Sequence, residues 1–166
     1  MTRNTIRIGH GYDIHRFENE ATKSYIMLGG VKIPYIHGLE AHSDGDVVIH
    51  AVCDALLGAC ALGDIGRHFP DTDPQYKNAD SRLLLKSVFE KITALGYGIN
   101  NIDVSILAQA PKLLPYHAQM KKNMSADLDI PEDHINIKAT TNEGLDAVGN
   151  KLAIAVHAVV LVEQSK

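Results

Sequence analysis

Asp13 and His15 stand two residues apart in the run Gly9-His10-Gly11-Tyr12-Asp13-Ile14-His15. In an extended backbone, positions i and i+2 project to the same side, so this spacing lets a carboxylate and an imidazole meet one ion. His50, on a predicted helix, offers a third ligand. Three protein ligands of nitrogen and oxygen type leave one position of a tetrahedral Zn²⁺ open, the arrangement of a catalytic rather than a structural site. With no cysteine in the set, Mn²⁺ suits it as well. The competing reading makes Asp13 a turn cap, His15 a surface residue and His50 a hydrogen-bonded core histidine. Asp46 and Asp54 lie one helical turn before and after His50. Either carboxylate can accept its second ring N–H and fix the tautomer, unless both simply face solvent.

Other candidates flank this set. His42-Ser43 opens the predicted helix, where free N–H groups, the positive end of the dipole and a ring donor suit an oxyanion. An ordinary cap at Ser43 is the alternative. Phe69-Pro70-Asp71-Thr72-Asp73-Pro74 can be read as two Asx-type turns. Ala108 to Pro115 leaves a predicted strand with Pro111, Lys112 and Pro115, a rigid loop suited to a flat ring and a phosphate. Thr140-Thr141-Asn142-Glu143 follows the next predicted strand and offers hydroxyls and a carboxylate for Mg²⁺ shared with phosphate oxygens, or a plain polar turn. Singly each signal is ambiguous. Together they describe a phosphate-handling metal enzyme with a one-carboxylate, two-histidine centre.

The chain that must position these groups has 166 residues and is 45% hydrophobic, which suits one domain spanning 1–166 with a core that needs no disulfides. Sixteen Lys and Arg against twenty Asp and Glu give a net charge of −4. The overall basic footprint of a nucleic-acid or anionic-lipid binder is therefore missing. No apolar run is as long as a membrane span, and Met1 to His15 lacks the apolar stretch of a secretory signal. Cys53 and Cys60 stack on one helix face instead of pairing, which implies a reducing, cytoplasmic setting.

Strands are predicted at Thr5–Ile8, Ser24–Leu28 and Val31–Ile33, the last two joined by a Gly29-Gly30 turn. Ser43–Leu62 reads as the strongest helix, capped by Ser43 or Asp44 and closed by Gly63. It is apolar on nearly every side, so it needs cover on every side, which in a small domain points to a neighbouring subunit. Asp64–Lys77 reads as a loop, and Ala79–Leu95 as an amphipathic helix capped by Asp80 or Ser81. A strand at Ile102–Ile106, a helix from Pro115 to about Leu128, a strand around Ile135 and Ile137 and a final strand Leu152–Val162 complete the chain. The predicted fold is α+β: a mixed four-stranded sheet plus a small hairpin, helices packed on one face, trimer-forming, with a parallel crossover between residues 102 and 137.

Four segments in order carry a resemblance: Ile8 to His15; Ala41-His42-Ser43-Asp44-Gly45-Asp46 leading to His50; Gly63-Asp64-Ile65-Gly66 with Phe69 to Pro74; and Ala108 to Pro115. They resemble the 2-C-methyl-D-erythritol 2,4-cyclodiphosphate synthase family, from about Ile6 to Val162. The resemblance implies a homotrimer with active sites at subunit interfaces. It also implies metal-dependent cyclisation of 4-diphosphocytidyl-2-C-methyl-D-erythritol 2-phosphate, with release of CMP, in the non-mevalonate route to isoprenoid precursors. Asp13, His15 and His50 would hold Zn²⁺ or Mn²⁺ against the substrate, and Glu143 a second ion, Mg²⁺ or Mn²⁺. His42 and Thr141 would stabilise developing charge. Substrate contacts are implied for Ser43, Asp64, Gly66, Phe69, Asp71 and Asp73, and for Thr140 and Asn142. Ala108, Pro111, Lys112, Leu113 and Leu114 would surround cytidine. After Glu143 the chain departs from the family pattern: Ala147, Asn150 and Leu152 stand where the family carries an aromatic residue, an arginine and a glutamate. In the family those positions lie near the substrate and line a central cavity proposed to bind prenyl diphosphates, so that chemistry is not carried over. Two rival functions use the same ligands: a phosphohydrolase directed at water, and a trimeric metal-binding scaffold without catalysis.

Overall fold

β1 (Ile6–Arg16) runs unbroken through Gly9 and Gly11, well past the predicted end at Ile8. In the computed structural model, which describes residues 5–20, 22–70, 72–76 and 79–164, these glycines serve close approach rather than chain reversal. A Cβ on Gly9 would lie 1.8 Å from the Ala55 carbonyl oxygen, and one on Gly11 1.8 Å from that of Ala51. Both oxygens belong to α1 (Val47–Ala59), which therefore rests its backbone directly on the strand.

β2 (Tyr25–Leu28) and β3 (Val31–Pro34) form the expected hairpin, with φ of +56° at Gly29 and +70° at Gly30. The main sheet adds β4 (Tyr97–Leu107), β5 (Ile135–Thr140) and β6 (Ala153–Gln164). Its order is β1-β6-β4-β5. β6 is antiparallel to both neighbours, while β4 and β5 are parallel. The crossover between them carries α4 (His117–Leu128), entered through a 3-10 turn at Leu114–Tyr116 that contains Pro115. The mixed four-stranded sheet with a separate hairpin is thus as predicted.

The strongest predicted helix is shorter than its pattern. α1 starts at Val47, and Asp46, not Ser43 or Asp44, is its N-cap, accepting from the Ile49 N–H at 3.0 Å. Gly45 at φ +76° turns the chain just before it. At the other end the stop comes at Ala61 (φ +57°), ahead of Gly63. There Leu62 N–H reaches the Leu57 carbonyl and Ala61 N–H the Gly58 carbonyl, a Schellman pair of bonds. Asp46 is fully buried, and its carboxylate also accepts from the N–H groups of Gly29 and Gly30. Three donors compensate its desolvation and tie the hairpin to the helix.

α2 (Ile65–His68) and a 3-10 turn at Pro74–Tyr76 occupy the segment predicted as loop. α3 (Ser81–Ala94) is capped by Asp80 and buries Leu84, Leu85, Val88 and Ile92, while Phe89 is half-buried and Leu95, just past its end, is exposed. α1 lies on β1 and β6, with α3 beside it, and α4 sits against β5 and α3. The all-round apolar surface of α1 is consequently covered inside the chain, and needs no second subunit. The uncovered apolar surface is on the opposite sheet face, where Ile6, Ile8, Tyr12, Ile14 and Val159 are exposed. The single turn α5 (Asp146–Gly149) packs on that side, through Val148 against Ala153 and Ala155. Among the described residues, no helix is long and apolar enough to cross a membrane.

Candidate metal centre

Alternate residues of β1 face α1, so Asp13 and His15 continue the row begun by Gly9 and Gly11. Where the glycines let the helix touch the strand, His50 arrives opposite the two ligating types. Asp13 Oδ2 lies 3.0 Å from His15 Nε2 and 3.0 Å from His50 Nδ1. One donor atom from each of the three residues falls within 4.8 Å of the others. All three side chains are partly buried, and their nitrogen and oxygen donors fit a divalent ion of borderline hardness.

Burial pushes the Asp13 carboxyl up, but hydrogen bonds from His15 and His50 outweigh it and hold the group well below the usual carboxylate range. Burial likewise pushes the His15 ring down, and the bond to Asp13 outweighs that, leaving its pKa raised. A carboxylate ionised at every ordinary pH is what cation binding requires. His15 Nδ1 donates to the Glu40 carbonyl at 2.8 Å. A carbonyl can only accept, so this bond holds a proton on Nδ1, and it is the proton that Nε2 shares with Asp13 that a cation would displace.

Neither Asp46 nor Asp54 serves His50 as predicted. Asp46 is spent on Gly29, Gly30 and Ile49, and Asp54 accepts from the Ile65 N–H at 2.7 Å, anchoring α2. His50 Nε2 instead meets the Ser81 hydroxyl at 2.9 Å. Ser81 was legible only as a helix cap, and no spacing rule connects position 81 to position 50.

His42, Ser43, Gly66 and Phe69 join Asp13, His15 and His50 around a cavity of about 360 Å³. The predicted oxyanion pair therefore shares the ion's cavity, although it precedes the helix by a turn instead of opening it. Asp64 caps α2 through the Arg67 N–H, and Asp73 is engaged by Gln75. Asp71 lies outside the described residues.

A second cavity, about 600 Å³, is lined by Ala108, Pro111, Lys112, Leu113, Leu114, Thr140 and Thr141. The predicted ring-and-phosphate loop and the polar turn after β5 thus come together. Thr141 Oγ1 donates to Glu143 Oε1 at 2.8 Å, and Glu143 holds φ at +52°, a conformation non-glycine residues rarely adopt. Asn142 bonds Asp146, and Asn150 donates to the Asp146 carbonyl. Neither Thr141 nor Glu143 lines the cavity of the three-ligand centre. One chain thus presents two cavities with separate linings. Ala147 belongs to a third concavity, about 640 Å³, with Ile14, Phe17 and Leu152.

Comparison with known proteins agrees with this geometry. The YgbB family model matches residues 6–163. A curated 2-C-methyl-D-erythritol 2,4-cyclodiphosphate synthase from Proteus mirabilis is 59% identical over 157 residues, covering 95% of this chain and 96% of that protein. One from Thioalkalivibrio sulfidiphilus is 55% identical over 158 residues, covering 95% and 97%. Among solved structures, the CDP complex of IspF from Plasmodium falciparum superposes with a TM-score of 0.85 at 36% identity, covering 99% of this chain and all of that one. The bifunctional IspDF from Campylobacter jejuni gives 0.91 at 43% identity, covering 97% of this chain, which spans only 43% of that larger protein.

Proposed function

This chain belongs to the YgbB family, and we propose on that premise that its three-ligand centre makes 2-C-methyl-D-erythritol 2,4-cyclodiphosphate. The chain is a lyase-type enzyme of isoprenoid biosynthesis, like the curated synthases that it matches along almost its whole length. The carrying observation is the convergence of Asp13, His15 and His50 beside a cavity that also holds His42 and Ser43.

The substrate is 4-diphosphocytidyl-2-C-methyl-D-erythritol 2-phosphate. An oxygen of its 2-phosphate bonds to the β-phosphorus, the bond from that phosphorus to the bridging oxygen breaks, and CMP leaves with the electron pair. Nucleophile and electrophile belong to one molecule, so the protein's main task is to fold that molecule into attack geometry. Asp13, His15 and His50 would hold Zn²⁺ or Mn²⁺, which would supply Lewis-acid polarisation of a phosphoryl oxygen. His42 and Ser43 donate hydrogen bonds where charge gathers on the phosphates. Thr141 orients Glu143, whose carboxylate would hold Mg²⁺ or Mn²⁺ and supply charge neutralisation to the substrate's phosphates, and Thr140 and Asn142 border the same turn. Ala108, Pro111, Lys112, Leu113 and Leu114 receive the cytidine, and Asp64 and Gly66 the ribose. Phe69 walls the cavity, and Asp71 and Asp73 are assigned to substrate contact. Ala147 and Asn150 lie near the substrate without the family's aromatic and arginine.

The separate linings of the two cavities support a homotrimer in which one subunit's cytidine pocket completes its neighbour's metal centre. The exposed apolar face of β1 and β6 supports the same assembly. Cys53 and Cys60 are buried free thiols, which suits a cytoplasmic enzyme.

The test is incubation of the pure protein with the cytidylyl substrate and Mg²⁺ or Mn²⁺, followed by ³¹P NMR. Stoichiometric CMP with a cyclic diphosphate is expected. CMP with only an open-chain product makes the chain a phosphohydrolase, and a metal-replete protein without turnover makes it a scaffold.

A further inference from the structure

We propose that Ser81, held by Asp44, is a positioning residue for the metal centre, fixing the His50 tautomer that turns a bare Nδ1 toward the cation. Ser81 is the first residue of α3 and has no solvent exposure. Its hydroxyl touches two groups: Asp44 Oδ1 at 2.5 Å and His50 Nε2 at 2.9 Å. A hydroxyl carries one proton. An ionised carboxylate can only accept, so that proton goes to Asp44 and the serine oxygen is left to accept. His50 Nε2 must then be the donor, so the ring keeps its proton on the nitrogen away from Asp13 when a cation takes the place of the proton that Nδ1 shares with Asp13.

The serine cannot easily rotate out of this role. Asp44 Oδ2 accepts the Ser81 backbone N–H at 3.0 Å, so the same carboxylate grips the residue twice. Asp44 Oδ1 also accepts the Asp46 N–H at 3.2 Å. The Ser43 hydroxyl lies farther from Nε2, at 3.3 Å, and has no carboxylate behind it. Metal-bound histidines usually donate their second N–H directly to a carboxylate or carbonyl. Here a buried hydroxyl is interposed, and the chain carboxylate–hydroxyl–imidazole spans the α3 and α1 helix starts. His15 reaches the same end more simply through the Glu40 carbonyl.

This inference rests on the reading of Asp13, His15 and His50 as the ligand set, and the experiment separates the two. Zinc affinity is measured by competition with a chromophoric chelator on the intact protein, and the His50 proton is located by ¹⁵N-histidine NMR of the zinc-loaded form. Ser81→Ala is expected to weaken zinc by about 10- to 100-fold, the usual effect of losing an outer partner of a ligand. Ser81→Thr, which keeps the hydroxyl, should restore most of that loss. Asp44→Asn leaves one donor facing another whichever way the amide turns, and should weaken zinc as well. Ser43→Ala should hold zinc like the parent. The parent should show its His50 proton on Nε2. If His50→Ala retains zinc, the ligand reading fails. If His50→Ala loses zinc while Ser81→Ala binds it like the parent, or if the proton is found on Nδ1, the positioning role is overturned and the ligand set stands.

Discussion

His50 Nδ1 lies 3.0 Å from Asp13 Oδ2, although 37 positions separate them in sequence. The contact depends on Gly11, two residues before Asp13 on the same face of β1, because only a missing Cβ lets the Ala51 carbonyl of α1 come down onto the strand. Gly11→Ala places a methyl 1.8 Å from that oxygen, so helix and strand must separate. The expected loss is about 3 kcal/mol, the upper part of the range for overpacking a core. Zinc affinity should fall with it, since His50 rides on the displaced helix. Gly58→Ala is the control with the opposite sign. It sits in α1 with open space where its Cβ would go, and should stabilise by about 0.5–1 kcal/mol. Chemical denaturation of both variants checks the pair, and a neutral Gly11→Ala would show that the contact does not set the helix position.

The convergence of Asp13 and His15 was readable because Asp13-x-His15 is a local pattern and strand geometry converts a spacing of two into a shared face. The hairpin was readable for the same reason, since Gly29-Gly30 meets a demand for positive φ on the spot. The length of β1 was not. Two glycines in a row of alternating positions look like a break until the helix lying on them is known. Nor was the outer partner of His50 visible, because Ser81 and Asp44 converge only after α3 docks beside α1. Asp46 and Asp54 are correctly spaced on the helix for His50, but the N–H groups of Gly29, Gly30 and Ile65 claim them first. Helical spacing gives the candidates, and tertiary demand chooses among them. The cover for α1 shows the same limit: its apolar residues implied burial, and nothing in them distinguished a neighbouring subunit from this chain's own sheet.

Asp127 of α4 ties α3 in place. Its carboxylate, 1% exposed, accepts from Arg82 Nε at 2.6 Å and Nη2 at 2.9 Å, with Lys86 Nζ at 3.3 Å. Asp127→Ala strands the guanidinium and severs the link between the helices. Arg82 is 32% exposed, so water recovers part of its solvation and the loss should be about 2 kcal/mol, below the range for a fully buried pair. Because Ser81 precedes Arg82 on the same helix, zinc affinity should weaken modestly as α3 loosens. Thermal unfolding and chelator competition on one sample report both effects. An unchanged melting temperature would show that the bridge contributes nothing net.

The exposed face of β1 offers a test of assembly. Ile8 is 71% exposed and Ile6 60%, beside Tyr12 and Ile14 on the same side of the strand. A row of large apolar residues on one sheet face is the composition of a surface that another chain covers. Ile8→Glu puts a charge there without touching the core, so it should leave the circular dichroism of the fold intact and release monomers. Sedimentation velocity is the measurement. Turnover should disappear with the trimer if each active site takes its cytidine pocket from a neighbour, and a monomer that still turns over would put the whole site in one chain.

His117 gives the protein a dependence on pH apart from the metal ligands. It opens α4, and its Nε2 is buried with no hydrogen-bond partner among the described residues. Burial lowers its pKa below the ordinary value of 6.5, because the charged ring is poorly solvated there. The folded state therefore binds this proton less readily than the unfolded state. Stability from this residue is fully present above about pH 6.5 and is lost as pH falls toward the folded pKa, because the unfolded chain takes up the proton first. His117→Gln removes that proton uptake. The stability advantage of the parent over the glutamine variant should thus shrink as the solution is acidified from pH 7.5 to pH 5, measured by urea unfolding at fixed salt. NMR titration of the His117 ring in the folded protein should give a midpoint under 6.5. A midpoint at or above that value, or a difference between the two proteins that does not change with pH, would show that the ring is solvated well enough to carry its charge.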